Sequence, residues 1–231
     1  MIATPDIDAA GHASHERDAQ LVALARAEMY AGLSRLLASP EQAIATAWRD
    51  HAAIVERLLV ADEALSADGS RIAELFALSQ AADIEHSAED VATAVGASYG
   101  ALFEVGDRGP PLAIREELAP NANAAAKEEV ARFYEHFGYR LGDDYAWRPD
   151  HLSVLMEFMH FLSWHESQSS DAALVAGLRA AQRDFCQRHL AWWVGDLADK
   201  VASRSDAHPL LQASLRATKD FIAVELQSLG D

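Results

Sequence analysis

In the stretch Arg148-Pro149-Asp150-His151-Leu152-Ser153-Val154-Leu155-Met156-Glu157-Phe158-Met159-His160-Phe161-Leu162, apolar side chains fall at 152, 155, 158, 159 and 162. That spacing is one buried face of an α-helix. Pro149 suits the first turn of such a helix, where a missing N–H deprives no acceptor. Asp150 and His151 follow at once, which places them at the mouth of a packed helix, wet and able to face a ligand. No nucleophile or phosphate-binding glycine loop accompanies them, so the pattern points to recognition before chemistry.

The same period extends through most of the chain. Its 231 residues, 50% of them hydrophobic, suffice for one large domain with a substantial core. Alanine and leucine dominate, and no run alternates apolar and polar residues long enough to make a strand. The expected class is all-α. Periodicity predicts helices over about 18–37, 41–60, 70–82, 87–103 and 124–137, one from Pro149 onward, and others over 171–189, up to 202, and 208–229. The sum is a single-domain bundle of eight or nine helices over 18–231, behind a flexible tail at 1–17. Leu21, Leu24, Ala25, Met29 and Leu36 are expected inward on the first helix, and Leu211, Leu215, Phe221, Ile222 and Leu226 on the last. Ser87-Ala88-Glu89-Asp90 reads as a capping box and Gly138 as a left-handed helix end. Residues 104–122 and 138–148 lack periodicity. An irregular stretch as long as the first is usually functional or disordered.

A net charge of −17 repels phosphate backbones and anionic lipid, which argues against nucleic acid and membrane partners. It favours encounter with a basic peptide, although solubility alone explains many acidic surfaces. The single cysteine, Cys186, makes neither a disulfide framework nor a zinc site and is expected to pack as a small apolar residue. Residues Met1 to Gln20 lack the basic-then-apolar order of a signal peptide, and no apolar run approaches the roughly 20 residues of a membrane span. The expected location is the cytoplasm.

Glu157 and His160 form an i, i+3 carboxylate–histidine pair, half of a di-iron bundle's ligand set. The pairs at 85–86, 135–136 and 165–166 are adjacent and have the wrong spacing to complete it. A helical-bundle metalloenzyme is therefore the alternative reading, and no metal or other cofactor is expected. Trp192 and Trp193, with Leu190, Val194, Leu197 and Val201, fit a helix packed on two sides. Tyr99, Leu102 and Phe103 share one face and are core by spacing, yet they lead into the long irregular stretch, where binding residues concentrate.

Five segments in order resemble the TorD/DmsD/NarJ family of redox-enzyme maturation chaperones. They are Tyr99-Gly100-Ala101-Leu102-Phe103, Gly109-Pro110-Pro111, Val130 through Gly138 with its Phe133-Tyr134 pair, Pro149-Asp150-His151-Leu152 followed by Glu157-Phe158-Met159, and Phe185 through Trp192. The run from Leu102 to Pro111 is most similar to the branch serving type II dimethyl-sulfoxide-reductase-family enzymes. The resemblance spans roughly residues 20–228. It implies an all-helical protein that is not an enzyme. Such a protein binds the twin-arginine signal peptide and apo-form of a molybdenum oxidoreductase catalytic subunit in the cytoplasm, assists molybdopterin insertion and delays export. The implied peptide site is Tyr99, Leu102, Phe103, Pro110, Pro111, Asp150 and His151, with Glu104, Pro149 and Glu157 in support. An apolar helix would lie against the aromatic and proline wall, and Asp150 would receive a guanidinium. On that reading Asp150→Asn weakens the peptide while melting stays nearly unchanged. A monomer and a domain-swapped dimer are both compatible with the sequence.

Overall fold

A computed structural model describes residues 7–39, 45–66, 69–104, 109–142 and 148–230, with side chains from residue 17 onward except at residue 45. Ten α-helices lie among the described residues. They are α1 (Ile7–Leu36), α2 (Ala45–Arg49), α3 (His51–Leu65), α4 (Ser70–Glu85), α5 (Ala88–Phe103), α6 (Ala126–Phe137), α7 (Leu152–Gln168), α8 (Ala172–His189), α9 (Val194–Ala202) and α10 (Pro209–Ser228). A 3-10 turn occupies Glu116–Leu118. An isolated antiparallel β-bridge pairs Arg115 with His151. The all-α expectation is met in one helical domain.

Local signals set most of the ends. The Ser87 hydroxyl accepts from the Asp90 N–H and caps α5, and Gly138 closes α6 at φ 69°, which a side chain would strain. Two boundaries differ from the periodicity. The helix expected over 41–60 is two pieces, α2 and α3, parted at Asp50. α1 opens at Ile7 and not near Asp18, because Ala9, Ala10, Ala13 and Glu16 favour helix even without an apolar stripe.

α7 is the central element. Leu152, Leu155, Phe158, Met159 and Leu162 are all fully buried, as their spacing predicts. α1 runs antiparallel to it: Gln20 reaches the Ser169 carbonyl, His160 the Ala27 carbonyl and Ser34 the Ser153 carbonyl. The face of α1 turned inward carries Ala23, Arg26, Ala27, Tyr30 and Leu33. Ala25, Met29 and Leu36 are also buried, but Leu21 and Leu24 are exposed, because they sit off that stripe. Gly32 allows α3 to come close, since a Cβ there would lie 2.6 Å from Leu58 Cδ2. On the other side, Tyr134 of α6 and Phe185 of α8 pack on Phe158 with ring centroids 4.8 and 4.7 Å away. On α10, Leu211, Leu215, Phe221 and Ile222 are buried, and Leu226 packs against the core edge. Cys186 is buried, and that burial pushes its thiol up to about 12.

One polar cluster crosses this core. Arg26 of α1 donates to both oxygens of Glu225 at 2.7 and 2.9 Å, to Glu166 at 3.0 Å and to Gln182 at 2.6 Å. Gln182 in turn donates to Glu166 at 2.7 Å. Four helices meet at one guanidinium, and its fixed fork of donors is matched on nearly every side.

Candidate functional site

The irregular segment after α5 is partly ordered by pairing. Leu112 N–H donates to the Leu102 carbonyl, Leu152 N–H to Ile114, and Glu116 N–H to the Asp150 carbonyl, each at 3.0 Å. Residues 114–117 are thereby tied to 150–152, and the 3-10 turn follows at once. Val105 through Arg108, in the run likened to the chaperone branch, lie outside the described residues.

Asp150 is fully buried. One carboxylate oxygen accepts from the Glu117 N–H at 3.0 Å, and the other from the Arg115 guanidinium at 3.4 Å. The side chain is a strut under the loop, with Arg115 in the place expected for a guest arginine. Neither Asp150 nor Pro149 belongs to the first turn of α7: His151 is its N-cap, and Pro149 lies before the cap, its carbonyl accepting from Tyr134. His151 is buried as well, and so not wet. Its Nδ1 accepts from the Ser153 N–H at 3.2 Å, which leaves the hydrogen on Nε2, 2.9 Å from the Tyr99 hydroxyl. Burial, reinforced by Arg148 and Arg115, holds the imidazole down at about 3, so it is neutral near pH 7.

Tyr99, Leu102 and Phe103 are buried beneath this loop, with the Tyr99 and Phe103 rings 4.9 Å apart. Glu104 accepts from Ser39 and, at 3.3 Å, from Arg148. Glu157 is on the outer side of α7, where loss of solvent raises its carboxyl and Tyr139 is its hydrogen-bond partner. His160 is committed to the Ala27 carbonyl at 2.9 Å. Among the described residues, no group of three or more His, Cys, Asp or Glu side chains could hold a metal ion.

Pro110 and Pro111 do reach an open surface. They form one wall of a cleft of about 720 Å³, with Leu112, Ala113, Leu118 and Pro120 beside them. The opposite wall is Trp192, Trp193, Leu197, Asp196 and Lys200. Asp196 and Lys200 pair with each other at 2.6 Å, so the cleft's own charges largely cancel and its lining is mainly apolar. Trp192 is the residue that spacing misassigned. The chain leaves α8 at Leu190 and turns over 190–193, where Ala191 N–H bonds back to the Cys186 carbonyl. This corner turns Trp193 inward, 3% exposed, and Trp192 outward, 39% exposed. The Trp192 indole N–H donates to the buried Glu116 carboxylate at 3.2 Å, and His189 Nδ1 lies 3.0 Å from the same group. Glu116 therefore links both walls, and the strut at Asp150 holds Glu116 through its backbone.

The sequence model of the nitrate reductase delta subunit family matches residues 62–199, more than half of the chain, and the chain belongs to that family. It is similar to the selenate reductase assembly chaperone protein of Thauera selenatis, 29% identical over 58% of this chain and 74% of the relative. It is 32% identical to the chlorate reductase assembly chaperone protein of Ideonella dechloratans, over 58% of this chain and 70% of the relative. It is 36% identical to the dimethyl sulfide dehydrogenase assembly chaperone protein of Rhodovulum sulfidophilum, over 54% of each chain. No solved structure matches. The resemblance to redox-enzyme maturation chaperones is thus borne out, and the chain is a chaperone and not an enzyme. No helix among the described residues is long and apolar enough to cross a membrane.

Proposed function

We propose that this chaperone acts in the cytoplasm on the catalytic subunit of a molybdenum oxidoreductase. It holds the twin-arginine leader of the apo-subunit until molybdopterin is inserted, and so delays export. The observation that carries the reading is the cleft between Pro110-Pro111 and Trp192-Leu197, open and mainly apolar on a chain of net charge −17. A leader peptide combines an arginine pair with an apolar segment. The cleft suits the apolar segment, and the acidic surface accelerates encounter with the basic end. Relatives named for selenate, chlorate and dimethyl sulfide enzymes support a client of that kind. In this arrangement Pro110 and Pro111 touch the peptide, while Tyr99, Leu102, Phe103, Asp150 and His151 shape the loop from beneath. Glu104 joins the same framework through Ser39 and Arg148 and Pro149 through Tyr134, whereas Glu157 stands apart with Tyr139 on the outer side of α7.

Calorimetric titration of the chain with a synthetic leader, two arginines followed by an apolar run, tests this. Binding that falls at least about tenfold when Trp192 is replaced by alanine, with melting little changed, supports it. Equal affinity for the leader and for a scrambled polar peptide of the same charge would overturn it.

A further inference from the structure

Beside the cleft lies a second, smaller cavity of about 220 Å³, lined by Glu116, Asn121, Asn123, Glu129, His189 and Trp192 together with Ala126 and Arg188. Asn121 and Trp192 line both spaces, so a chain segment lying in the cleft has this cavity within reach of one side chain. The lining is polar, and its hydrogen bonding is incomplete in a particular sense. His189 is 1% exposed, with Nδ1 at 3.0 and 3.2 Å from the two oxygens of Glu116. A carboxylate only accepts, so Nδ1 carries the hydrogen and donates to it. In the neutral ring Nε2 is then a bare acceptor, and it is buried without a partner. Glu116, 2% exposed, accepts from two donors and retains lone-pair capacity. The cation already at the rim, Arg188, is balanced elsewhere: it pairs with Glu129 and with Asp184. Glu116 is thus met by the His189 ring and the Trp192 indole, and among the described residues no arginine or lysine pairs with it. An acceptor-rich, negatively charged pocket walled by an indole asks for a cation with several N–H donors in a plane.

We propose that this cavity is the guanidinium subsite of the chaperone, receiving one arginine of the leader whose apolar segment occupies the neighbouring cleft. The inference rests on the leader-binding reading above and assigns the arginine to Glu116, Asn121 and His189, in place of Asp150. A guanidinium fits better than an ammonium: its planar fork reaches acceptors on different residues at once, and it stacks against Trp192. The Lys200 ammonium stays outside, tied to Asp196 at the cleft wall.

The test compares twin-arginine and twin-lysine leaders by calorimetry on the native chain, on Glu116→Gln and on Asn121→Gly. Asn121 lies at φ 66°, so glycine removes the carboxamide without straining the backbone. The expected native preference for arginine is about tenfold or more, shrinking several-fold in both variants while twin-lysine affinity holds. If Glu116→Gln melts too low to titrate, Asn121→Gly decides alone. Leader binding with no arginine preference in the native chain, or with the full preference kept in the variants, overturns the subsite and leaves leader binding standing. A native chain that binds neither leader overturns the functional reading, and the subsite falls with it.

Discussion

Replacing Asp150 by asparagine keeps the volume and removes the charge from a fully buried strut. The native carboxylate accepts from Glu117 N–H at 3.0 Å on one oxygen and from Arg115 at 3.4 Å on the other. An amide offers one acceptor only, so its NH2 group must face either the Glu117 N–H or the guanidinium, donor against donor. A hydrogen bond to a charged group contributes about 1.5–3 kcal/mol, and the mismatch adds the cost of a buried donor left unmet. Arg115 is 18% exposed on its side chain and recovers some hydration, which keeps the total at about 3 kcal/mol, the low end for a broken buried pair. With a urea slope of about 2–3 kcal/mol per molar, the unfolding midpoint should fall by roughly 1 M. Circular dichroism through a urea titration reads this directly. Faster hydrogen exchange at the Glu116, Glu117 and Leu152 amides should accompany it, because the pairing of 114–117 with 150–152 depends on the strut. Burial therefore reverses the expectation, drawn from spacing, that Asp150→Asn leaves melting nearly unchanged. An unchanged midpoint with native exchange rates would refute the strut.

Arg26→Ala should destabilise by about 3–5 kcal/mol, since it leaves Glu225 and Glu166 buried without their shared partner; the double variant Arg26→Met, Glu225→Met should recover part of that loss in the same urea assay, because Glu166 keeps Arg179 at 3.4 Å and Gln182. Acid should weaken the fold through His151, whose folded value of about 3 lies below its ordinary 6.5. Between those values the unfolded chain binds the extra proton, so stability is full above about 6.5 and drops by roughly 1.4 kcal/mol per unit as pH falls towards 3. His151→Asn, which retains a capping acceptor, should flatten that part of the profile; an identical profile would remove His151 from the account.

Much of the architecture was legible because it rests on local rules. The 3.6-residue period, the Ser87 cap, the Gly138 helix end and the apolar set on α7 each depend on residues within a turn or two of one another, and they fall where periodicity puts them. The order of family-like segments was legible for the same reason. Three features depended instead on partners far along the chain. Arg26 is buried because Glu166, Gln182 and Glu225, 140 to 199 residues away, converge on it. Asp150 reads as a wet helix-mouth acid until residues 115–117 fold across it. Trp192 reads as core until the chain turns at Leu190 and directs it outward against Glu116. Periodicity records which face of a helix is apolar, but a charged or aromatic side chain is buried or exposed according to which distant donors and acceptors arrive to meet it, and that pairing exists only once the helices have packed.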